Sequence, residues 1–285
     1  MSDLKNRLIQ AACGSCALLS CLFLALICLF LLIQGWPAIQ EIGLIRFVTG
    51  TIWQPSNGLY GIAPMICGSL AVTVLAMLIG CPISILLAVF IVYFCPEKLK
   101  STITACVDLM AGIPSVVYGF FGLMVFVPFI RDYLGGMGLS LLAASLILGI
   151  MIIPTVTTVS VTSIRNVDRS CYEGSLALGA TPERSVFFSV LPAAKNGIIS
   201  AAILGLSRAV GETMAVMMVA GNQPVFPSSI LAGVRTLTAN IAMEMGYAVD
   251  LHRQALIATG LILLLFILAI DIVFEIVSRK GEKDA

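Results

Sequence analysis

The chain predicts an all-α polytopic membrane protein: six transmembrane helices, with one polar helical hairpin between the fourth and fifth. Two observations carry that architecture. Of its 285 residues 59% are hydrophobic and only 11% charged, giving a mean hydropathy of +1.07 that soluble globular domains do not approach. Apolar runs recur, each of about 20 residues or more and so long enough to cross a hydrocarbon core of about 30 Å as a helix. The lipid bilayer is therefore an expected partner. A net charge of +1 offers nothing to nucleic acid, and none is expected to bind. Nine Cys, mostly inside apolar runs and without metal-ligand spacing, read as small buried hydrophobes, so no metal site is expected.

The first run, from Ala11 to about Ile33, follows Lys5 and Arg7. It exceeds the roughly 7 to 15 apolar residues of a secretory signal, and no small-x-small site precedes Trp36-Pro37, so it reads as an uncleaved first span over 11–34. The second span, 62–94, is longer than a perpendicular helix needs and holds Gly80 and Pro82, which predicts a kink, a tilt or a partly non-membranous stretch. The third, 103–130, contains Gly112-Ile113-Pro114-Ser115-Val116-Val117-Tyr118-Gly119. Proline removes a backbone donor there, and irregular backbone at membrane depth must be buried or line a cavity. A packing kink is the plainer alternative. The fourth span covers 138–163, the fifth 197–221 and the sixth 254–278. The chain thus divides into an amino segment with the first span (1–34), a core (62–278) and a tail (279–285). Near the end of the sixth span, Asp271 and Glu275 are expected at the interface, paired with Arg279 and Lys280.

Lys and Arg set the orientation. Of 16, eleven lie in the amino end, the 95–102 loop, the 164–196 loop and the tail, four in the opposite loops, and Arg208 in the fifth span. The excess predicts a cytoplasmic hairpin and two cytoplasmic termini. The outer loop 222–253 is too apolar for a plain linker; Leu237–Met245 reads as a short helix, and the loop as a gate or docking surface, with a solvated connector as the alternative. His252 stands at its edge with no His or Cys nearby to share a metal.

The hairpin reads SCYEGSLALGATPERSVFFSVLP, Ser170 to Pro192. Ser170 and Glu173 are spaced as a capping box, Gly179 ends the first helix, Thr181 is the expected N-cap of the second with Pro182 at its first position, and Pro192 its stop. With Glu173, the small residues Gly174 and Ser175, Gly179 and the closing Val190-Leu191-Pro192, it resembles the EAA loop of ABC importer permeases. Gly and Ser replace the two Ala of the usual motif, and Ser189 takes a usually aliphatic place. The resemblance implies that Glu173, Gly174, Ser175, Gly179, Leu191 and Pro192 meet a groove of an ATPase subunit.

The fifth span carries Arg208 and Glu212 in its middle. An Arg at the centre of a span costs about 2.5 to 3.5 kcal/mol on insertion scales, so it needs partners or water. Four residues apart, the two would share one helix face, where a guanidinium fork matches an oxyanion and can exchange Glu212 for it. A static salt bridge between helices is the alternative. Ser115, Ser207 and Thr213 are the polar neighbours expected along the same pathway. SRAVGETMAV and GIPSVVYG resemble the corresponding spans of phosphate-specific ABC importer permeases of the PstC type. That resemblance implies a type I importer fold and a pathway role for Arg208 and Glu212. The partners it implies are a homologous permease (PstA type), a dimeric ATP-binding subunit (PstB type) and a phosphate-binding protein outside. ATP and Mg would be used by the ATPase, with no cofactor on this chain; no Walker A pattern occurs in it, so the chain is expected not to be an enzyme. Permeases for sulfate or molybdate remain the nearest alternative, then ion-driven transporters or a non-transporting scaffold.

Overall fold

The computed structural model describes residues 2–283, with the side chains of Asn6 and residues 9–272. It is helical apart from a two-residue hairpin. In order come α1 (Ser2–Ile42), α2 (Leu44–Thr49), β1 (Trp53–Gln54) paired antiparallel with β2 (Leu59–Tyr60), α3 (Ala63–Val89), α4 (Glu97–Gly112), α5 (Ser115–Phe121) and α6 (Val127–Tyr133). Then follow α7 (Leu141–Arg165), α8 (Arg169–Ala177), α9 (Pro182–Ser185), α10 (Leu191–Ala193), α11 (Lys195–Gly211), α12 (Met214–Val219), α13 (Leu237–Glu244) and α14 (Asp250–Lys283). Three π-turns, Phe90–Phe94, Gly122–Phe126 and Val186–Val190, extend or join these helices.

Five helical stretches are long and apolar enough to cross a membrane, and a pair bent by 73°, Pro182–Ala193 with Lys195–Gly211, supplies a sixth. The first expected span is longer than 11–34, since α1 continues through Pro37 to Ile42. The second, expected as 62–94, is one apolar helical run from Ala63 to Phe94. Two spans depart from expectation because their backbones break. The third is not continuous over 103–130: Pro114 has no N–H and forces Ile113 into extended backbone (ψ 126°), so α4 stops at Gly112 and the crossing stretch is Ser115–Tyr133. The fifth is not continuous over 197–221: Glu212 is extended (ψ 132°), and α12 starts afresh at Met214.

The core is the α3–α7 pair, joined by small and hydroxyl residues. Gly80 lets α3 approach the Gly149 carbonyl so closely that a Cβ would collide, which explains a glycine that sequence pattern assigned to a kink. Ser145 Oγ donates to the Val72 carbonyl and Thr157 Oγ1 to the Ser84 carbonyl, each at 3.3 Å. Around them Val72, Ala76, Ala144, Leu148, Ile152 and Val156 form the main buried cluster, which α11 joins through Ala201 and Ala209. α1 packs on α14, with Gly35 set against the Ala258 backbone. The rest of α1 presents its apolar surface outward, as a lipid-facing helix does.

At one end of this bundle the loop after α12 folds back onto the first turn of α7. Leu141 N–H donates to the Ala232 carbonyl, Leu142 N–H to Ile230 and Ser140 N–H to Val219, satisfying donors that a helix start leaves free. α13 matches the expected short helix. A loop so bonded is no solvated connector.

At the other end stands the hairpin. Asp168, not Ser170, caps α8: its carboxylate accepts Ser170 N–H at 2.8 Å, so the capping box does not form. Sequence spacing favoured Ser170 because its partner Glu173 lies three residues on; the nearer acidic residue takes the N–H first. Thr181 caps α9 as expected, accepting Arg184 N–H at 3.3 Å, and Gly179 has φ +88°, a conformation only glycine adopts without strain. Pro192 does not stop the second arm. The π-turn before it shifts the bonding to Leu191 N–H on the Val186 carbonyl, and the chain stays helical to Ala193 before bending.

Candidate translocation site and coupling hairpin

The two broken spans lie side by side. Gly119 of α5 packs on Ala215 and Met218 of α12, and Gly122 on Val219, so the half-helices run parallel with their starts level. The breaks at Ile113-Pro114 and Glu212-Thr213 therefore form one non-helical region at membrane depth. Each break leaves backbone groups that a continuous helix would satisfy. Tyr118 Oη donates to the Met110 carbonyl at 2.9 Å, tying α5 back across the first. Glu212 spans the second: its Oε1 accepts Ala215 N–H at 3.2 Å, and its carbonyl accepts Thr238 Oγ1 at 3.0 Å.

That bonding revises the expected Arg208–Glu212 pair. Because the helix ends at Gly211, the two do not share a helical face, and the Glu212 carboxylate turns to its own half-helix. Arg208 sits in the last turn of α11, where the carbonyl end of the helix favours a cation. Its guanidinium lies within electrostatic reach of Tyr118, is exposed, and has no carboxylate in salt-bridge range among the described residues. Ser207, beside it, donates to Asp271 Oδ1 of α14 at 2.8 Å. Asp271 thus accepts from a neighbouring helix; the expected pairing with Arg279 and Lys280 falls on side chains that, with that of Glu275, lie outside the described residues. Thr213 Oγ1 turns to the Gly211 carbonyl at 3.3 Å, and Ser115 opens α5 at the same level. The five residues expected along a pathway thus lie at or next to the two breaks, with Ser207 bonded to α14.

Exposed apolar side chains flank Arg208 along its span, Leu204 one turn before it and Met214 at the start of the next half-helix, 49% and 41% exposed. A guanidinium amid exposed apolar side chains needs a second surface, of protein or of lipid, to complete its surroundings.

In the hairpin Glu173, Gly174 and Gly179 are exposed, Ser175 and Leu191 half-buried, and Pro192 exposed. The hairpin tip adds Leu178, 91% exposed, and Phe188, 76% exposed, with the Arg184 guanidinium 5.8 Å over the Phe188 ring. These apolar residues at a polar turn were not singled out in the sequence. The signal was available, since SLALG places Leu178 directly before the turn glycine.

A model of the family "binding-protein-dependent transport system inner membrane component" matches residues 80–283. The chain belongs to that family. This permease is 38% identical over 281 residues to the probable ABC transporter permease protein YqgH of Bacillus subtilis, covering 95% of this chain and 90% of the relative. It is 32% identical over 287 residues to the phosphate transport system permease protein PstC of Haemophilus influenzae, covering 94% and 91%. Its fold resembles the inward-facing MetNI methionine ABC transporter, with a TM-score of 0.63 at 22% identity over 81% of this chain and 99% of that one. The permease is accordingly a multi-pass subunit of an ABC importer that works with a separate ATPase and a binding protein, and is not itself an enzyme.

The permease also holds a polar knot that sequence reading missed. Glu244 of α13, 7% exposed, accepts Arg235 Nη1 at 2.7 Å on Oε1, and Trp53 Nε1 and His252 Nε2 at 2.9 Å each on Oε2. Arg235 also donates to Asn240 Oδ1 and to the Asn222 carbonyl. His252, unpaired by sequence neighbourhood, is therefore a structural ligand of Glu244, ringed by Trp53, Tyr60 and Tyr247 at 6.0 to 6.4 Å. Partners 191 residues apart in sequence, such as Trp53 and Glu244, leave no local pattern.

Proposed function

We propose that this permease carries inorganic phosphate inward in an ATP-driven importer, with Arg208 as the anion contact of the pathway. The observation that carries this reading is the Arg208 guanidinium, which has no carboxylate partner among the described residues, beside two level helix breaks. A static ion pair with Glu212 would have been spent on packing; Glu212 instead caps α12, leaving the guanidinium free for an oxyanion. The PstC relatives support phosphate as that oxyanion. The hairpin end faces the cytoplasm and receives the ATPase on Glu173, Gly174, Ser175, Gly179, Leu191 and Pro192, in keeping with the Lys and Arg excess on that side. ATP and Mg are used by the ATPase and not by this chain. A second, homologous permease of the PstA type completes the apolar face around Arg208, a PstB-type dimer hydrolyses ATP, and a phosphate-binding protein delivers to the loop end. Nucleotide closure draws the hairpins together and opens the pathway outward; hydrolysis resets it.

The test is ATP-dependent uptake of labelled phosphate into proteoliposomes holding the whole complex, with sulfate as competitor, for the wild type and Arg208→Gln. Uptake that resists sulfate and is lost in the variant, with the ATPase still co-purifying, is the expected result. Full uptake by the variant would reduce Arg208 to a packing residue. Sulfate or molybdate transport in place of phosphate would replace the substrate; the name of the YqgH relative states none.

A further inference from the structure

α8, the first arm of the hairpin, has no buried residue, so beyond its covalent link to α7 it meets the membrane body through a few side-chain contacts. One of these is aromatic. The Tyr172 ring of α8 lies against the Tyr93 ring, centroids 4.8 Å apart with 43° between planes. Tyr93 belongs to the π-turn that ends the α3 run, and the pair sits on a small separate core of Ala88, Val89, Ile164, Val186 and Val190. The second arm contributes Val186 and Val190 from its own π-turn. Two π-turns thus meet at one joint. A π-turn holds one residue more than an α-turn, and moving that extra residue along the helix rotates side chains without unfolding it.

From this joint α3 runs the length of the bundle. Its far end meets the loop that bears the polar knot: Ser69 Oγ accepts Leu237 N–H at 2.9 Å at the start of α13, and Gly68 lies against the Arg235 carbonyl. Between the ends α3 is locked to α7 by Gly80, Gly149, Ser145 and Thr157, so the two move as one body. α7 enters the hairpin covalently. α11 leaves it covalently, and α3 meets it through the ring pair and the shared apolar cluster.

We infer that the Tyr93–Tyr172 contact is the joint that makes the hairpin rigid with the α3–α7 body, so that nucleotide-driven hairpin movement reaches the helix breaks. This rests on the hairpin being the ATPase-docking element. Tyr172 is then a positioning residue: it carries force and touches no substrate.

The experiment uses the complete transporter in proteoliposomes, with native cysteines replaced and Met214→Cys, beside the second break, as reporter. The rate of its labelling by a membrane-impermeant maleimide is compared without nucleotide and with ATP plus vanadate. With both tyrosines present the rate is expected to change about fivefold or more. Tyr172→Ala is expected to abolish the change while the ATPase still binds nucleotide, and Tyr172→Phe, which keeps the ring, to retain it. Tyr93→Ala, remote from the docking face, is expected to match Tyr172→Ala, and the double variant to be no worse than either. A full change in Tyr172→Ala or Tyr93→Ala, or no change with both tyrosines intact, would overturn the inference. The readout contains no substrate, so a phosphate reading that fails in uptake leaves it standing.

Discussion

Arg208 and Glu244 show how differently a charge is treated at two places in this permease. Glu244 has three donors and is buried; Arg208 is exposed and has no carboxylate partner among the described residues. Removing one partner of a buried pair leaves the other charge desolvated, so Glu244→Ala is expected to cost about 3 to 5 kcal/mol by thermal unfolding in detergent. Glu97→Ala, in the exposed pair with Lys100, should change stability by less than about 1 kcal/mol. Arg208→Lys keeps the charge but loses the planar fork, and is expected to lower initial uptake by about tenfold, equal to about 1.4 kcal/mol. At the hairpin, the Ser170 backbone N–H and hydroxyl hold the Asp168 carboxyl below its ordinary 3.8. A depressed pKa contributes stability fully above 3.8, lost only as pH falls through the lower folded value. Amide exchange at Ser170 should stay protected down to that acid range in the wild type, and be fast at pH 7 in Asp168→Ala. Arg208 was legible in the sequence, because a lone guanidinium in an apolar run announces itself. The Glu244 knot was not, because its members come from four separate segments.

At the scale of elements, the decisive feature is the level pairing of two half-helices. The α5–α12 contact depends on Gly119, where a Cβ would fall 2.8 Å from Met218 Sδ and 2.9 Å from the Ala215 Cα. Gly119→Val is expected to push the half-helices apart, costing about 1 to 3 kcal/mol in thermal unfolding and disabling uptake. Gly112→Ala, with nothing within 4 Å, should leave both intact. Gly179 differs again: its Cβ would be unobstructed, yet its φ is +88°, so Gly179→Ala adds about 1 to 2 kcal/mol of backbone strain, read as weaker ATPase co-purification. Helix existence followed from apolar run length, and the glycine turn and Thr181 cap from local chemistry. The break at Glu212 escaped a reading by periodicity because Gly-Glu-Thr carries no proline; the end of a helix there is secured by Glu212 bonding forward to Ala215 and by Thr238 reaching in from the loop.

For the whole molecule, orientation has a direct test. With native cysteines replaced, Tyr247→Cys at the loop end should react with an impermeant maleimide in intact cells, and Leu178→Cys at the hairpin tip only after permeabilisation; both positions are well exposed. The opposite pattern would invert the proposed topology. By itself the sequence determined that this is a helical membrane protein with several apolar spans, a capped glycine hairpin and one Arg inside an apolar run. Those properties depend on apolar run length, on the φ a glycine permits and on the cost of a charge in lipid, all local to the chain. The tertiary structure decided which breaks lie level, that Glu212 caps its own half-helix in place of pairing with Arg208, and that His252, Trp53 and Arg235 converge on Glu244. Those depend on how the folded chain packs, where a hydrogen bond goes to whichever donor the fold brings near, three residues away for Glu212 and 191 for Trp53.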